Sequence, residues 1–417
     1  MWIWMLAFAL SLWHGAAMAD DVAGAVNMKK MSIEECIDSA FTRNPALNAA
    51  ALEIEKARIL KGTAFNPPMT EVLLKQETTG GGGPENGVYF GQEFDFPTVY
   101  FARYRSLSAQ KELQSSRYDV LSAEVVKEVS ALYYKSLYIH ELIKLNRELE
   151  TVYGDFCHTA QIRLEQGESG SLELMNAQRI RDKNEMEFQN LLLEYSGCTR
   201  ELGSKIGSRE AVMPSDIELA PLPYSFSETE FNFNATPRGI AAAREIAVAE
   251  REISLAKNEF LPGLRMGATV QALIKSFNPY NIDRSRFERG NFMGFEVGVS
   301  IPLFFGAQSS RLRAANTEKR ISLLNMESAE AEIRNETSQL SAELESHNNR
   351  LEYYRVSALP HADEIKRIAR VSYELGDIDY IEYISNIETA YDIYLEYAGC
   401  VNDYNQTVIR IKSIINK

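Results

Sequence analysis

Two periodicities take turns along the chain. Over long stretches apolar residues recur three and four positions apart, as at Val125, Val129 and Leu132, and again at Met326, Ala329 and Ile333. That spacing gathers them on one face of an α-helix. Over four shorter stretches every second residue is apolar, the period of a β-strand. From Phe292 to Ile301, the residues Phe295, Val297, Val299 and Ile301 face one way, and Gly294, Glu296, Gly298 and Ser300 the other. In the second stretch Val88, Phe90, Phe94 and Phe96 oppose Tyr89, Gly91, Glu93 and Asp95. In the third, Leu264, Met266, Ala268 and Val270 oppose Arg265, Gly267, Thr269 and Gln271. The fourth, from Met69 to Thr78, alternates most weakly. Each stretch has about ten residues and one apolar face, the signature of a transmembrane strand.

The helical stretches are long. Thr98 to Ile162 contains no proline, and at about 1.5 Å per residue it spans roughly 100 Å. Residues 172–206 run back. Residues 307–371 and 379–415 repeat the pattern, with a break expected at Pro360. Helices of this length exceed a globular domain and predict coiled-coil packing.

The chain is written twice. Asn44-Pro45 and Thr236-Pro237 each open a helix, an N-cap residue followed by proline at the first helical position. Those helices close in Phe65-Asn66-Pro67 and Phe260-Leu261-Pro262. Each copy then enters alternating strands that end at Pro97 or Pro302, and next a long helical region interrupted at Gly167 or Gly376. Leu193 to Cys198 is echoed by Leu395 to Cys400. The expected organisation is a first repeat over 20–206 (strands about 69–78 and 87–96, helices 98–162 and 172–206), a connector over 207–235, and a second repeat over 236–417 (strands about 264–273 and 292–301, helices 307–371 and 379–415). The joining loops, Thr79 to Asn86 and Phe277 to Asn291, carry glycine, proline or asparagine.

Composition narrows the picture. Met1 to Leu12 is almost wholly apolar and leads into Ala17-Met18-Ala19, so residues 1–19 read as a secretory signal peptide. All three tryptophans lie within it. No later run is long and apolar enough for a membrane-spanning helix, so a membrane crossing would have to be a closed β-barrel. A net charge of -14 argues against nucleic acid as a partner. Four strands are too few to close a membrane barrel, and open edges are not tolerated in lipid, so other copies of the chain must complete the sheet. The fold class that follows is mainly α with membrane β: two repeats, each a strand pair plus a long coiled-coil hairpin, in an oligomeric transmembrane β-barrel. Two copies would supply eight strands and three would supply twelve.

This duplicated strand-pair-and-hairpin chain with a leader resembles the TolC family of outer-membrane efflux proteins over nearly the whole mature length. The glycine-containing hairpin tips, Arg163 to Ala177 and Ser372 to Ile387, and the strand endings at Pro97 and Pro302 carry the resemblance. Within the family the chain is similar to the heavy-metal and drug efflux branch of CusC and CzcC, although it lacks the lipid-anchoring cysteine of that branch. The resemblance implies a homotrimer in outer-membrane lipid, with a twelve-stranded barrel continued by a periplasmic α-barrel. It also implies a periplasmic adaptor and an inner-membrane RND-type pump as partners. The function implied is that of an exit duct in the outer membrane of a Gram-negative bacterium. The family's acidic aperture maps to Glu173 and Glu382, each six residues past its tip glycine. Ser385 stands where a further acid is common, with Asp377 and Asp379 nearby. Adaptor contacts map to Arg163, Leu164, Gly167 and Leu172 on the first tip, and to Tyr373, Leu375, Gly376 and Ile381 on the second.

No catalytic constellation stands out, so no enzyme and no cofactor are expected. His140, His158, His347 and His361 are scattered, and the cysteines Cys36, Cys157, Cys198 and Cys400 are widely spaced. Gly80 to Gly83 lacks the GK[ST] ending of a phosphate loop. Glu173 and Glu382 could be ordinary solvated helix residues, but their matched positions after matched glycines favour a pore-tip role, where rings of carboxylates favour cations. The competing reading is an exported coiled-coil scaffold, which has no use for strands with a wholly apolar face.

Overall fold

The computed structural model describes residues 28–78, 84–224, 231–271 and 292–415. The leader over 1–19, Gly80 to Gly83 and the loop Phe277 to Asn291 lie outside the described residues, as does part of the connector.

In chain order the elements are β1 (Lys29–Met31), α1 (Ile33–Arg43), α2 (Pro45–Leu60), β2 (Glu71–Thr78), β3 (Pro84–Phe94), α3 (Pro97–Glu165), α4 (Ser171–Lys205), β4 (Val212–Pro214), α5 (Pro237–Asn258), β5 (Gly263–Gln271), β6 (Phe292–Ser300), α6 (Gly306–Tyr353), α7 (Leu359–Leu375) and α8 (Tyr380–Ile415). No described helix is long and apolar enough to cross a membrane.

Local chemistry sets several boundaries. Ser32 and Glu35 form a reciprocal capping box at the start of α1. Asn44 Oδ1 accepts from the Ala46 and Leu47 amides at 2.8 and 3.3 Å, capping α2 ahead of Pro45. The α-helical run is interrupted at Pro360, as the sequence predicts, but the chain stays helical through the interruption. A π-helical turn, Tyr354–Ala358, precedes it and joins α6 to α7. The wider turn relieves the clash that a proline ring makes with a carbonyl one α-helical turn back.

The described chain divides into two compact units, and each draws on both repeats. One unit comprises Ala50–Arg117 and Gly239–Ala329. It holds a four-stranded antiparallel sheet in the order β2-β3-β5-β6. The register aligns Val72, Phe90, Ala268 and Phe295 in one cross-strand row, and Leu74, Val88, Val270 and Met293 in the next. That face is apolar and open, with Phe295 88% exposed. The opposite face carries Glu71, Gly91, Gly267 and Glu296 in one row, and Glu93, Arg265 and Gly298 in another. On it Arg265 pairs with Glu71 at 3.3 Å and with Glu93 at 3.5 Å. The Tyr89 ring lies over Gly91 and Gly267, where any Cβ would come within 2.7 Å of the ring, and its hydroxyl donates to Glu296. Glycine is required at both positions to seat that ring.

The other unit comprises the chain up to Ala49, Tyr118–Arg238, and Glu330 onward. β1 and β4 pair in parallel, Lys29 opposite Val212. Beneath them Met31, Cys36, Leu47, Val129, Tyr133, Leu202 and Val212 form a buried core. A strap after β4 is held to α8 by Asn405, which accepts from the Leu222 amide at 2.8 Å and donates to the Ala220 carbonyl at 3.0 Å. A second core joins Leu149, Tyr153 and Phe156 of α3, Ala177 of α4, Ala369 of α7, and Tyr380, Ile384 and Tyr391 of α8. Both helical hairpins are therefore packed together where they turn. All four cysteines are buried and free.

Candidate functional site: the paired hairpin tips

Each tip is built on the same backbone device. α3 ends at Glu165 and Gly167 follows in the left-handed region, φ 74°. The Gly167 amide donates to the Leu164 carbonyl at 3.1 Å and the Glu168 amide to the Arg163 carbonyl at 2.9 Å. α7 ends at Leu375 and Gly376 follows at φ 80°. The Gly376 amide donates to the Tyr373 carbonyl at 3.1 Å and the Asp377 amide to the Ser372 carbonyl at 2.8 Å. Both are Schellman closures, which satisfy the last carbonyls of a helix and need a residue free to take positive φ.

The returning helices then start three residues beyond each glycine's neighbour and place Glu173 and Glu382 at the same third helical position. A carboxylate there lies against the positive end of the helix dipole, so each glutamate has a structural use besides any role in a pore. The caps differ. Gly170 opens α4 with no side-chain hydrogen bond. Asp379 opens α8, its Oδ1 accepting from the Glu382 amide at 2.8 Å.

Side chains separate the tips further. At the first, Arg163 reaches across the turn to Glu173, Nη1 to Oε1 3.3 Å, with the glutamate side chain only 18% exposed. Leu164 is half-buried. At the second, tyrosines do the fastening. Tyr373 stacks on Tyr383 with ring centroids 4.9 Å apart, and Tyr380 stacks on Phe156 of α3 at 4.3 Å. The Tyr380 hydroxyl donates to the Val152 carbonyl at 3.4 Å. Further along, Tyr153 donates to Glu388 at 3.0 Å and Tyr391 to Glu148 at 2.9 Å, tying the second hairpin to the first. Burial first, and then neighbouring phenols and Asp155, hold the Tyr380 phenol well above the usual tyrosine range.

Asp377, Asp379, Glu382 and Ser385 are exposed on the second tip. Apolar side chains are exposed on both: Leu172 at 70%, Leu375 at 72% and Ile381 at 63%. Leu172 and Ile381 occupy matched positions, immediately before the matched glutamates. Sequence reasoning missed the tyrosine fastening. Its signal is a run at helical spacing, Tyr380, Tyr383, Tyr391, Tyr394 and Tyr397, whose first four positions are matched in the first repeat by Ser171, Leu174, Asp182 and Glu185.

Comparison with known proteins places this architecture. Residues 240–417 match the outer membrane efflux protein (OEP) family. No curated protein sequence matches the chain significantly. Among solved structures the fold is similar to a membrane protein from Pseudomonas aeruginosa (TM-score 0.74, 14% identity, 93% of this chain and 90% of that one). It is similar to CusC (TM-score 0.72, 16% identity, 93% and 92% covered) and to the Neisseria gonorrhoeae outer-membrane channel MtrE in its open state (TM-score 0.72, 14% identity, 91% and 88% covered). By sequence, residues 240–417 match the outer membrane efflux proteins, and the described chain shares the fold of the solved outer-membrane channels CusC and MtrE.

Proposed function

We propose that the protein is the outer-membrane exit duct of a tripartite efflux system and works as a homotrimer. The observation that carries this reading is the sheet. It has an exposed apolar face, a polar face and, among the described residues, two unpaired edges at β2 and β6. In the order β2-β3-β5-β6 the two edge strands run antiparallel to each other. β6 of one copy can therefore take β2 of the next in the antiparallel sense, and repetition closes a barrel with the apolar face toward lipid. Three copies of four strands make the twelve that the family resemblance implies. A scaffold protein has no use for such a face.

In this reading the helical hairpins stand in the periplasm of a Gram-negative bacterium. The exposed Leu172, Leu375 and Ile381 suit a periplasmic adaptor, which together with Arg163, Leu164, Gly167, Tyr373 and Gly376 would form the docking tips. An inner-membrane RND-type pump supplies the substrate, and the similarity to CusC favours the heavy-metal and drug branch. Glu173, Glu382, Asp377, Asp379 and Ser385 border the aperture. The protein is expected in outer-membrane fractions and, in detergent, at three times the chain mass. A stable, folded monomer in detergent would overturn the reading.

A further inference from the structure

We infer that Arg163 masks the charge of Glu173 and is a selectivity-determining residue of the aperture, so that the second tip carries the cation preference; this rests on the duct reading above. The two glutamates occupy identical places in the repeats, yet only Glu173 has a cation against it. Arg163 lies four residues before the tip glycine Gly167, where the second repeat has Ser372 four residues before Gly376. Its backbone is fixed there, because its carbonyl accepts from both the Glu168 and Ser169 amides, at 2.9 and 3.3 Å. From that anchored position its guanidinium sits 3.3 Å from Glu173. Ser372 offers no counter-charge. Among the described residues no lysine or arginine comes within 4.0 Å of Glu382, Asp377 or Asp379. Arg370, the nearest base in sequence, pairs with Glu374 at 3.0 Å instead.

Residues 163–173 hold three acids and one base, and residues 372–382 hold four acids and none. A carboxylate paired at contact distance presents a dipole to a passing ion, and that field falls off faster than the field of a lone charge. Screening at physiological salt, with a Debye length of about 8 Å, removes most of what is left. Symmetry turns each residue into a ring, so the unpaired acids of the second tip multiply while the Glu173 ring stays neutral overall.

The test is ion selectivity of the purified full-length protein in planar bilayers under a KCl gradient. R163Q unmasks Glu173 and should raise the cation-to-anion permeability ratio by about two- to fivefold, the effect of one added charge per copy at pore distances. E173Q leaves Arg163 bare and should lower the ratio. The double variant should return to the wild-type value, and R163K, which keeps the charge, should stay there. The two neutral controls guard against a distorted tip, because misfolding would not be cured by the second substitution. If R163Q conducts with the wild-type ratio while E382Q lowers it, the masking inference fails and the duct reading stands. If the wild-type protein forms no conducting pore at all, the duct reading itself fails.

Discussion

At the first hairpin tip a guanidinium spans the turn to a glutamate, and glycine opens the returning helix with nothing to cap it. At the second tip an aspartate caps the helix, and a stack of tyrosines is pressed against Phe156 of the other hairpin. The backbone closures are the same, residue for residue. A duplicated element therefore keeps its main-chain geometry because glycine and the Schellman bonds dictate it, while side chains are free to diverge in how they fasten it. One tip is bridged by a charge pair, which salt screens. The other is held by buried aromatic area, which salt does not touch.

The comparison breaks most sharply at Tyr380. Replacing it with alanine removes a buried ring, its stacking on Phe156 and its hydrogen bond to Val152. Large-to-small aromatic changes in cores cost about 3–5 kcal/mol. Leu164→Ala, at a half-buried site on the first tip, should cost about 1 kcal/mol. Denaturant titration of the two variants measures the difference, and equal losses would show that the tips are fastened alike.

Alkali should separate the tips next. The Tyr380 phenol is held above its ordinary value in the fold, so its protonated form is the one the fold favours. That contribution is complete below about pH 10, the unfolded tyrosine value, and is lost as pH rises from there through the folded value. Hydrogen exchange around residues 372–384 should accelerate above that pH. Exchange around 163–174, which contains no tyrosine, should show only the general base-catalysed rise.

How far the sequence reveals these differences depends on the range of the interaction. Strand alternation set out both faces of the sheet, because a period of two assigns each side chain to a face without knowledge of its neighbours. The rows joining Val72, Phe90, Ala268 and Phe295 could not be read, since they depend on β3 pairing with β5 across more than a hundred residues. The tip glycines were legible because each carries a local backbone requirement. The pairing of Arg163 with Glu173 lies within a single turn, yet the repeat drew attention to what the tips share and away from Ser372, where they differ. Pro360 was legible as a disturbance. Its accommodation by a π-helical turn is a matter of packing against α8, where Tyr354 and Ala358 bury beside Cys400.

Helix capping gives a smaller effect. Asp379→Ala removes the acceptor for the Glu382 amide and should cost about 1 kcal/mol. Gly170 already has extended backbone angles, φ -89° and ψ 162°, compatible with any capping residue. Gly170→Asp should therefore gain a few tenths of a kcal/mol. Opposite signs in thermal unfolding would confirm that the first tip lacks a cap it could accept; a loss at Gly170→Asp would show that glycine is needed there for another reason.

The smallest stability effect belongs to the ion pair itself. Arg163 is 41% exposed, and pairs of this kind contribute about 0–1 kcal/mol because Coulomb attraction in water barely exceeds the entropy lost in holding two long side chains. Glu173→Gln should accordingly change the unfolding free energy by less than about 1 kcal/mol, and the change should shrink further as salt rises from about 0.05 to 0.5 M. Glu382→Gln, with no cation to lose, should show no comparable salt dependence. The pairing that matters least to folding is thus the one expected to matter to selectivity, since a pore reads net charge whereas stability reads the small surplus of attraction over solvation. Thermal unfolding of both variants across that salt series decides the matter: a large, salt-independent loss for Glu173→Gln would mean that Glu173 serves the fold through the packing of its largely buried side chain, and that its partnership with Arg163 is incidental.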